Sequence, residues 1–331
     1  MKMKDVAKRA GVSPATVSRV LNGSSTVKAE YRDRVLRTIE EVGYRPNRLA
    51  SNLRRQKAAM IGVLISDIEN PHFTQMVRAV EDAAYRRGYR MLLCNTDETA
   101  EKQASYLEVL AAERVRGVIL SPSDPRGEEI GELLDLEIPL VAFDRAVEDP
   151  RAGAVVVDNV GGMRVATKHL IRAGHERIGF VGGPVGIETG AGRLEGYRLA
   201  MQDAGLAPLT VEGNFRIERG RAATAELLAR DGLTALIAGN NLTTIGALQA
   251  LRERGLRVPD DVALVGVDDP FWSELVEPPL TALAQPVKEM ADCAVDLLFE
   301  EIGGGGESPR KVIFDFELRV RGSCGTKRGD R

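Results

Sequence analysis

Met3-Lys4-Asp5-Val6-Ala7-Lys8-Arg9-Ala10-Gly11-Val12-Ser13-Pro14-Ala15-Thr16-Val17-Ser18-Arg19-Val20-Leu21-Asn22-Gly23 reads as one structural unit. Val6, Ala7 and Ala10 recur at helical spacing, so this first stretch predicts a short helix. Gly11-Val12 makes a turn. Ser13 stands as an N-cap, and Pro14 takes the first helical position, where its missing N–H costs nothing. Residues 15–22 form a second helix, which Gly23 ends. Two helices this short, joined by a glycine-containing turn, predict a helix-turn-helix, whose second helix enters the major groove of DNA.

Charge points to a phosphate-bearing partner. Residues 1–57 carry 14 Lys/Arg against 5 Asp/Glu, whereas the rest of the chain carries 31 against 43. The formal net charge of −3 hides a basic arm on an acidic body, a footprint for a polyanion. A charge run alone more often marks a solvated face, but here it coincides with the motif.

At 331 residues the chain suits two or three domains. Its 44% apolar and 28% charged residues are those of an ordinary soluble protein. No apolar run approaches the roughly 18–20 residues that span a bilayer, so no membrane partner is expected. Met1-Lys2-Met3-Lys4-Asp5 leads straight into the capped helix with no secretory h-region, so a cytoplasmic location is expected. Cys94, Cys293 and Cys324 are far apart and outside any CxxC spacing, as befits thiols of a reducing compartment. Neither a metal nor a cofactor is expected.

A third helix is predicted over about 29–42, with Tyr31, Val35, Leu36 and Ile39 on its inner face. Gly43-Tyr44-Arg45-Pro46 closes a head of residues 1–46, and 47–57 form a helix-compatible hinge or linker. From Met60-Ile61-Gly62-Val63-Leu64-Ile65 onward the texture changes. Strands are predicted near 89–94, 116–121, 139–143, 154–157, 177–181, 234–238 and 262–267. Helices are predicted near 71–87, 99–112, 127–135, 159–173, 188–205, 219–231, 241–254 and 286–302. Continuous Val/Ile/Leu strands between amphipathic helices indicate parallel sheets. Residues 58–331 therefore predict an α/β core of two doubly wound lobes. The lobe change falls near Val157-Asp158-Asn159, with the chain returning near 285 and 310–320.

Ligands of open α/β sheets sit at the carboxyl ends of the strands. Here those ends carry Ser66-Asp67, Asn95-Thr96-Asp97, Asp144-Arg145, Asn240-Asn241 and Asp268-Asp269. Carboxylates, amides and an arginine suit a polyhydroxylated ligand, and Phe73, Phe143, Phe215 or Trp272 could stack on a ring. For each Asp or Asn taken singly, helix N-capping is the plainer alternative.

The chain resembles the lactose-repressor/galactose-repressor (LacI/GalR) family almost throughout. The head matches over Asp5-Val6-Ala7, Ala10-Gly11-Val12-Ser13 and Ala15 to Gly23, and Gly43-Tyr44-Arg45-Pro46-Asn47 with Ala50 and Leu53 resembles the family's hinge. Further matches are Asn70-Pro71-His72-Phe73, Phe143-Asp144-Arg145, Asp158-Asn159, Arg193 with Gly196-Tyr197, Val258 to Asp268, and Gln285-Pro286. The resemblance implies a periplasmic-binding-protein-like core and a transcription regulator, most readily a repressor. It would bind a pseudo-palindromic operator as a homodimer under control of a small-molecule effector. On the matching positions Ser13, Ala15, Thr16, Ser18, Arg19 and Asn22 would face DNA, with Arg19 reading a guanine edge or holding a phosphate. Pro14 lies where some relatives carry a base-reading polar side chain. Tyr44, Asn47, Ala50 and Leu53 would join them from the hinge, where Leu53 matches a minor-groove wedge. The alternative for Leu53 is a core leucine beneath the linker.

Effector contacts implied by the same matches are Arg193, Asp144 and Asp268, with Asp67, His72, Phe73, Arg145, Phe215, Asn240 and Asn241 as further candidates. Arg145 has a second reading as a structural ion pair with its neighbour. Asn241 stands where relatives usually carry Asp, which lowers the negative charge of the site and favours a sugar acid.

Three other classes fit less well. Gly182-Gly183-Pro184-Val185-Gly186 and Gly190-Ala191-Gly192 are not GxGxxG in a strand–helix frame, and no GxxxxGK[ST] occurs. With only His72, His169 and His175 there is no HExxH and no apparent Ser/His/Asp arrangement, so catalysis is not expected. An exported sugar-binding protein would not need the basic head, and a nonspecific DNA binder would not need the core.

Overall fold

The computed structural model describes residues 3–21, 27–42, 59–230, 232–305 and 310–325. The chain divides into two compact units, Met1–Ala58 and Ala59–Arg331.

In the first unit, helices α1 (Met3–Ala10), α2 (Pro14–Leu21) and α3 (Ala29–Glu41) enclose one small core. Val6, Ala7, Ala10, Val17, Val20 and Val35 are buried together, with Val12, Ile39 and Val42 against them. Ser13 caps α2, its Oγ accepting the Thr16 amide at 3.1 Å. Gly11 takes φ +60° in the turn, a conformation open to glycine without a Cβ penalty. Tyr31 and Leu36, expected on the inner face of α3, are instead 39% and 48% exposed. The packed face runs through Val35, Thr38 and Ile39. Leu36 lies about 100° around the helix from Val35, and the Tyr31 ring lies under the Arg34 guanidinium at 5.2 Å.

The second unit alternates strand and helix. It begins β1 (Met60–Ile65), α4 (Pro71–Arg86), β2 (Arg90–Asn95), α5 (Ala100–Ala112), β3 (Val118–Leu120), α6 (Glu128–Asp135), β4 (Leu140–Phe143) and β5 (Gly153–Val157). Next come α7 (Asn159–Arg172), β6 (Ile178–Gly182), α8 (Glu188–Asp203), β7 (Leu209–Glu212), α9 (Ile217–Leu228), β8 (Ala235–Ala238), α10 (Asn241–Glu253) and β9 (Ala263–Val267). A 3-10 turn at Phe271–Glu274 precedes β10 (Thr281–Ala284), α11 (Val287–Ile302), β11 (Lys311–Phe314) and β12 (Glu317–Arg319).

Two six-stranded sheets result, ordered β2-β1-β3-β4-β5-β11 and β7-β6-β8-β9-β10-β12. Pairing is parallel except between β10 and β12. The two orders match strand for strand. In each, the winding reverses beside the first strand, which opens a crevice at the carboxyl ends of β1 and β3, and of β6 and β8. The chain passes between the sheets at 157–159, 284–287 and 314–317.

Both faces of each sheet are covered, which is why the central strands read as unbroken apolar runs. In the first lobe, α4 and α11 pack over Ile61, Val63, Val141 and Phe143, while Leu64, Leu120 and Leu140 face α5 and α6. In the second lobe, α7 and α8 pack over Phe180, Ile237 and Val265, and α9 and α10 over Leu236 and Leu264. Strands β7, β10, β11 and β12 went unpredicted from sequence. Three of them are sheet edges whose residues are only half-buried or exposed, so they lack a continuous apolar run. β10 reads Thr-Ala-Leu-Ala and is bounded by prolines.

Tyr197 ties α8 to its sheet. It is fully buried, donates to the Ile178 carbonyl at 2.7 Å and accepts the Leu209 amide at 2.8 Å. Burial pushes its phenol up to about 12. Tyr197→Phe leaves a buried carbonyl and amide unpaired, so a loss of about 1–3 kcal/mol is expected, read as a lower urea midpoint at unchanged slope. Because the folded value is raised, this contribution is complete below the ordinary value of about 10 and is lost as pH climbs toward 12. A variant that unfolds together with the parent at pH 7 contradicts this role.

Candidate functional site

The head offers one exposed helical face. Ser13, Ala15 and Arg19 are exposed and Thr16 is half-buried, while Val17 and Val20 turn inward. The Thr16 hydroxyl lies 2.9 Å from Ser13 Oγ, so these two hydroxyls are held by the cap. Ser18 lies on α2, and its side chain is outside the described residues. Asn22, Tyr44, Asn47, Ala50 and Leu53 also lie outside them.

In the second unit the strand ends of the two lobes face each other across a cleft of about 350 Å³. The first lobe contributes Asp67 after β1, His72 and Phe73 at the start of α4, Asp97-Glu98 after β2, and Asp144-Arg145 after β4. The second contributes Thr189 and Arg193 on α8, Asn214-Phe215-Arg216 after β7, Asn240 after β8, Asp268 after β9 and Gln285 after β10. Asp144 and Asp268 occupy corresponding places in the two sheets, and both take positive φ, +68° and +71°.

Arg193 is buried. Its Nε donates to Asn159 Oδ1 at 2.8 Å and its Nη1 to the Gly239 carbonyl at 2.7 Å. The guanidinium lies 5.7 Å from the Phe215 ring centre and 6.0 Å from that of Phe316. Burial draws its pKa down, and the carboxylates of Asp268 and Asp144 oppose that shift. Arg145 is also buried but is already committed, with both terminal nitrogens 2.6 Å from the Glu98 carboxylate. Burial alone would lower its pKa; the Glu98 hydrogen bonds and the Asp144 charge raise it on balance. Its ion pair with Asp144 is looser, at 3.5 Å.

His72 sits between the lobes. Its Nε2 is 3.6 Å from Asp144 Oδ1 and its Nδ1 is 3.8 Å from Asp268 Oδ1. Gln285 Nε2 donates to the same Asp268 oxygen at 2.7 Å. At the mouth, Arg216 of the second lobe pairs with Asp67 of the first. Burial raises the Asp67 carboxyl pKa, against the lowering effect of the Glu69 amide and Arg216. Asn240 caps α10 in a reciprocal box with Thr243.

Of the residues named from sequence, Asp67, His72, Phe73, Asp144, Arg145, Arg193, Phe215, Asn240 and Asp268 line this cleft. Asn241 does not. It is the first residue of α10, lines a smaller recess behind the cleft, and donates to Asn70 Oδ1 at 3.1 Å. The expected sugar-acid preference therefore loses its premise, and carboxylates outnumber guanidinium groups along the cleft. Phe143 and Trp272, considered as ring platforms, pack into the cores instead. Sequence reasoning missed Glu98, Thr189, Asn214, Arg216 and Gln285. Arg216 and Glu98 each adjoin a residue already singled out, Phe215 and Asp97, which was the available signal. His169 and His175 are structural, with His169 Nε2 3.3 Å from Cys324 Sγ and His175 Nδ1 3.1 Å from Thr234 Oγ1. Among the described residues no helix is long and apolar enough to cross a membrane.

A helix-turn-helix unit joined to two doubly wound lobes that converge on a polar cleft defines a ligand-binding regulator. Residues 2–47 match the family of bacterial regulatory proteins of the lacI type, and residues 167–324 match the periplasmic binding protein-like domain. The transcriptional repressor PurR of Pasteurella multocida (strain Pm70) is 36% identical over 326 residues, covering 97% of this chain and 98% of that protein. The CelR–cellobiose complex superposes with a TM-score of 0.74 at 35% identity, over 98% of this chain and 99% of that one. The lac repressor dimer bound to operator and the anti-inducer ONPF gives 0.85 at 28% identity, with the same coverage of both chains. The chain belongs to the lacI family of transcriptional regulators.

The Arg145–Glu98 pair yields a direct expectation. Breaking a fully buried ion pair costs about 3–5 kcal/mol. The Glu98 side chain is 26% exposed and Arg145 keeps Asp144 and the Pro122 carbonyl, so Glu98→Ala should cost less, about 1–3 kcal/mol in chemical denaturation. A loss under about 1 kcal/mol, the range of surface pairs, would show that Arg145 is not held by Glu98.

Proposed function

We propose that this chain is a homodimeric repressor whose heads read two halves of a pseudo-palindromic operator and whose clefts take a neutral, polyhydroxylated effector. The observation that carries the effector reading is the convergence of Arg193, Asp144 and Asp268 from both lobes on one space. Carboxylates accept ligand hydroxyls, a fixed guanidinium donates to them, and Phe73 and Phe215 offer ring faces. An acidic lining disfavours sugar acids and phosphates.

The exposed face of α2 supports DNA reading by Ala15 and Arg19, with Ser13, Thr16 and Ser18 nearer the phosphates. Asn22, Tyr44, Asn47, Ala50 and Leu53 complete the proposed interface, with Leu53 as the minor-groove wedge. A DNA partner supports a cytoplasmic location and a role in binding rather than catalysis. Dimerisation is supported by Phe271 and Leu275, which are 79% and 76% exposed on one turn of chain and suit burial by a second copy.

Effector bound between the lobes biases their closure and thereby the hinges. Coupling between the two sites is reciprocal, typically about 1–3 kcal/mol.

The test is thermal unfolding of the full chain against sugars, sugar acids, sugar phosphates and nucleosides. A ligand at about 100 times its Kd stabilises by about 2.7 kcal/mol. A neutral polyol hit that Arg193→Ala abolishes is the expected result; stabilisation by sugar acids alone contradicts the proposed class. Operator affinity should fall steeply with salt. Arg19→Ala should reduce specific binding more than nonspecific binding, and equal loss in both would remove the base-reading role.

A further inference from the structure

Behind the cleft the lobes meet through two buried amides. Asn70, of the first lobe, is 7% exposed and Asn241, of the second, is 1% exposed. Asn241 Nδ2 donates to Asn70 Oδ1 at 3.1 Å. The direction of this bond is forced. Asn70 Oδ1 also accepts the His72 amide at 3.1 Å as the N-cap of α4. A backbone N–H only donates, so the Asn70 atom facing it is oxygen, and Asn241 must meet that oxygen with its NH₂. Asn241 itself is fixed as the first residue of α10 behind the Asn240–Thr243 capping box. An aspartate at 241 would have no proton to give.

The connection then returns across the cleft. With its amide bound by Asn70, His72 places its ring within 4 Å of Asp144 in its own lobe and of Asp268 in the other. We propose that Asn241 is a positioning residue. Acting through Asn70, it fixes His72 between the two carboxylates that face the cleft, and it biases the lobes toward the closed arrangement. Other contacts also cross between the lobes: Arg216 pairs with Asp67, Glu188 Oε2 accepts the Ala146 amide at 2.8 Å, and Glu188 Oε1 lies 3.6 Å from Lys311 Nζ. The Arg216 side chain is 35% exposed, so salt screens that pair. The amide pair is buried and uncharged, so salt leaves it intact.

The experiment uses the full chain without effector or DNA, so its outcome is separate from that of the ligand panel. Spin labels are placed through p-acetylphenylalanine at Val109 and Val185, exposed positions on α5 of the first lobe and after β6 of the second. The distance distribution then reports lobe closure. Asn241→Ala should lower the closed-to-open ratio about five-fold, the equivalent of one net hydrogen bond, and Asn241→Asp should lower it at least as far. Asn70→Asp keeps both the cap and the acceptor and should preserve the closed distance. The chain has 3 histidines, so imidazole resonances give a second readout: Asn241→Ala should move the His72 signal and leave those of His169 and His175. Thermal melting verifies that each variant is folded. A parent-like distribution for Asn241→Ala overturns the proposal. So does opening by Asn70→Asp equal to that of Asn241→Ala, because packing rather than the donated hydrogen bond would then hold the lobes.

Discussion

A guanidinium cannot be buried cheaply; every side of it must be answered. Arg193 is where this molecule meets that constraint, and two of the residues that answer it, Asn159 and Phe316, lie where the chain crosses between the lobes. Asn159, which accepts from Nε, is the first helical residue after the chain leaves the first sheet. Gly239, which accepts from Nη1, ends the central strand β8. Phe316, over one side of the guanidinium, lies in the last crossing between β11 and β12. Phe215 covers it from the loop after β7. The charge is partly offset by Asp268 from one lobe and Asp144 from the other. A ligand touching Arg193 therefore touches two of the three chain crossings through a single side chain.

The sequence made the central architecture legible because both faces of each sheet are covered, which writes β1, β4, β6, β8 and β9 as apolar runs, with polar residues directly after β1, β4 and β9. Asp144 and Asp268 could be singled out for that reason: each follows the last buried residue of its strand. Edge strands carry no such mark. Partners distant in sequence were illegible for a different reason. Glu98 and Arg145 are 47 residues apart, Asp67 and Arg216 are 149, and Asn70 and Asn241 are 171. Periodicity describes neighbours within one element and says nothing of such pairings. Asn241 shows the cost: its residue type was readable, but the helical turn that points it behind the cleft was not.

Charge divides the labour between the units. The basic head presents Arg19 on an exposed face, while the core is acidic overall and carries an acidic cleft. Nonspecific attraction to phosphate therefore falls to the head, because the core repels a polyanion. The proposed preference for a neutral polyhydroxylated effector rests on that same acidity of the cleft.

If a ligand closes the lobes, as proposed above, the bonds across the seam decide how much that ligand must contribute. Bonds that draw the lobes together include the Asn241–Asn70 amides, the Arg216–Asp67 pair, the Glu188 carboxylate on the Ala146 amide and the Lys311–Glu188 pair. A net hydrogen bond is worth about 0.5–1.5 kcal/mol. A ligand shifts an equilibrium only by its differential affinity for the two states. A deep closed well would leave a small ligand nothing to shift, and a strongly open one would consume its affinity in closing the lobes. Individual bonds of that size lie within reach of the few hydroxyl contacts that the proposed effector would make with Asp144, Arg193 and Asp268.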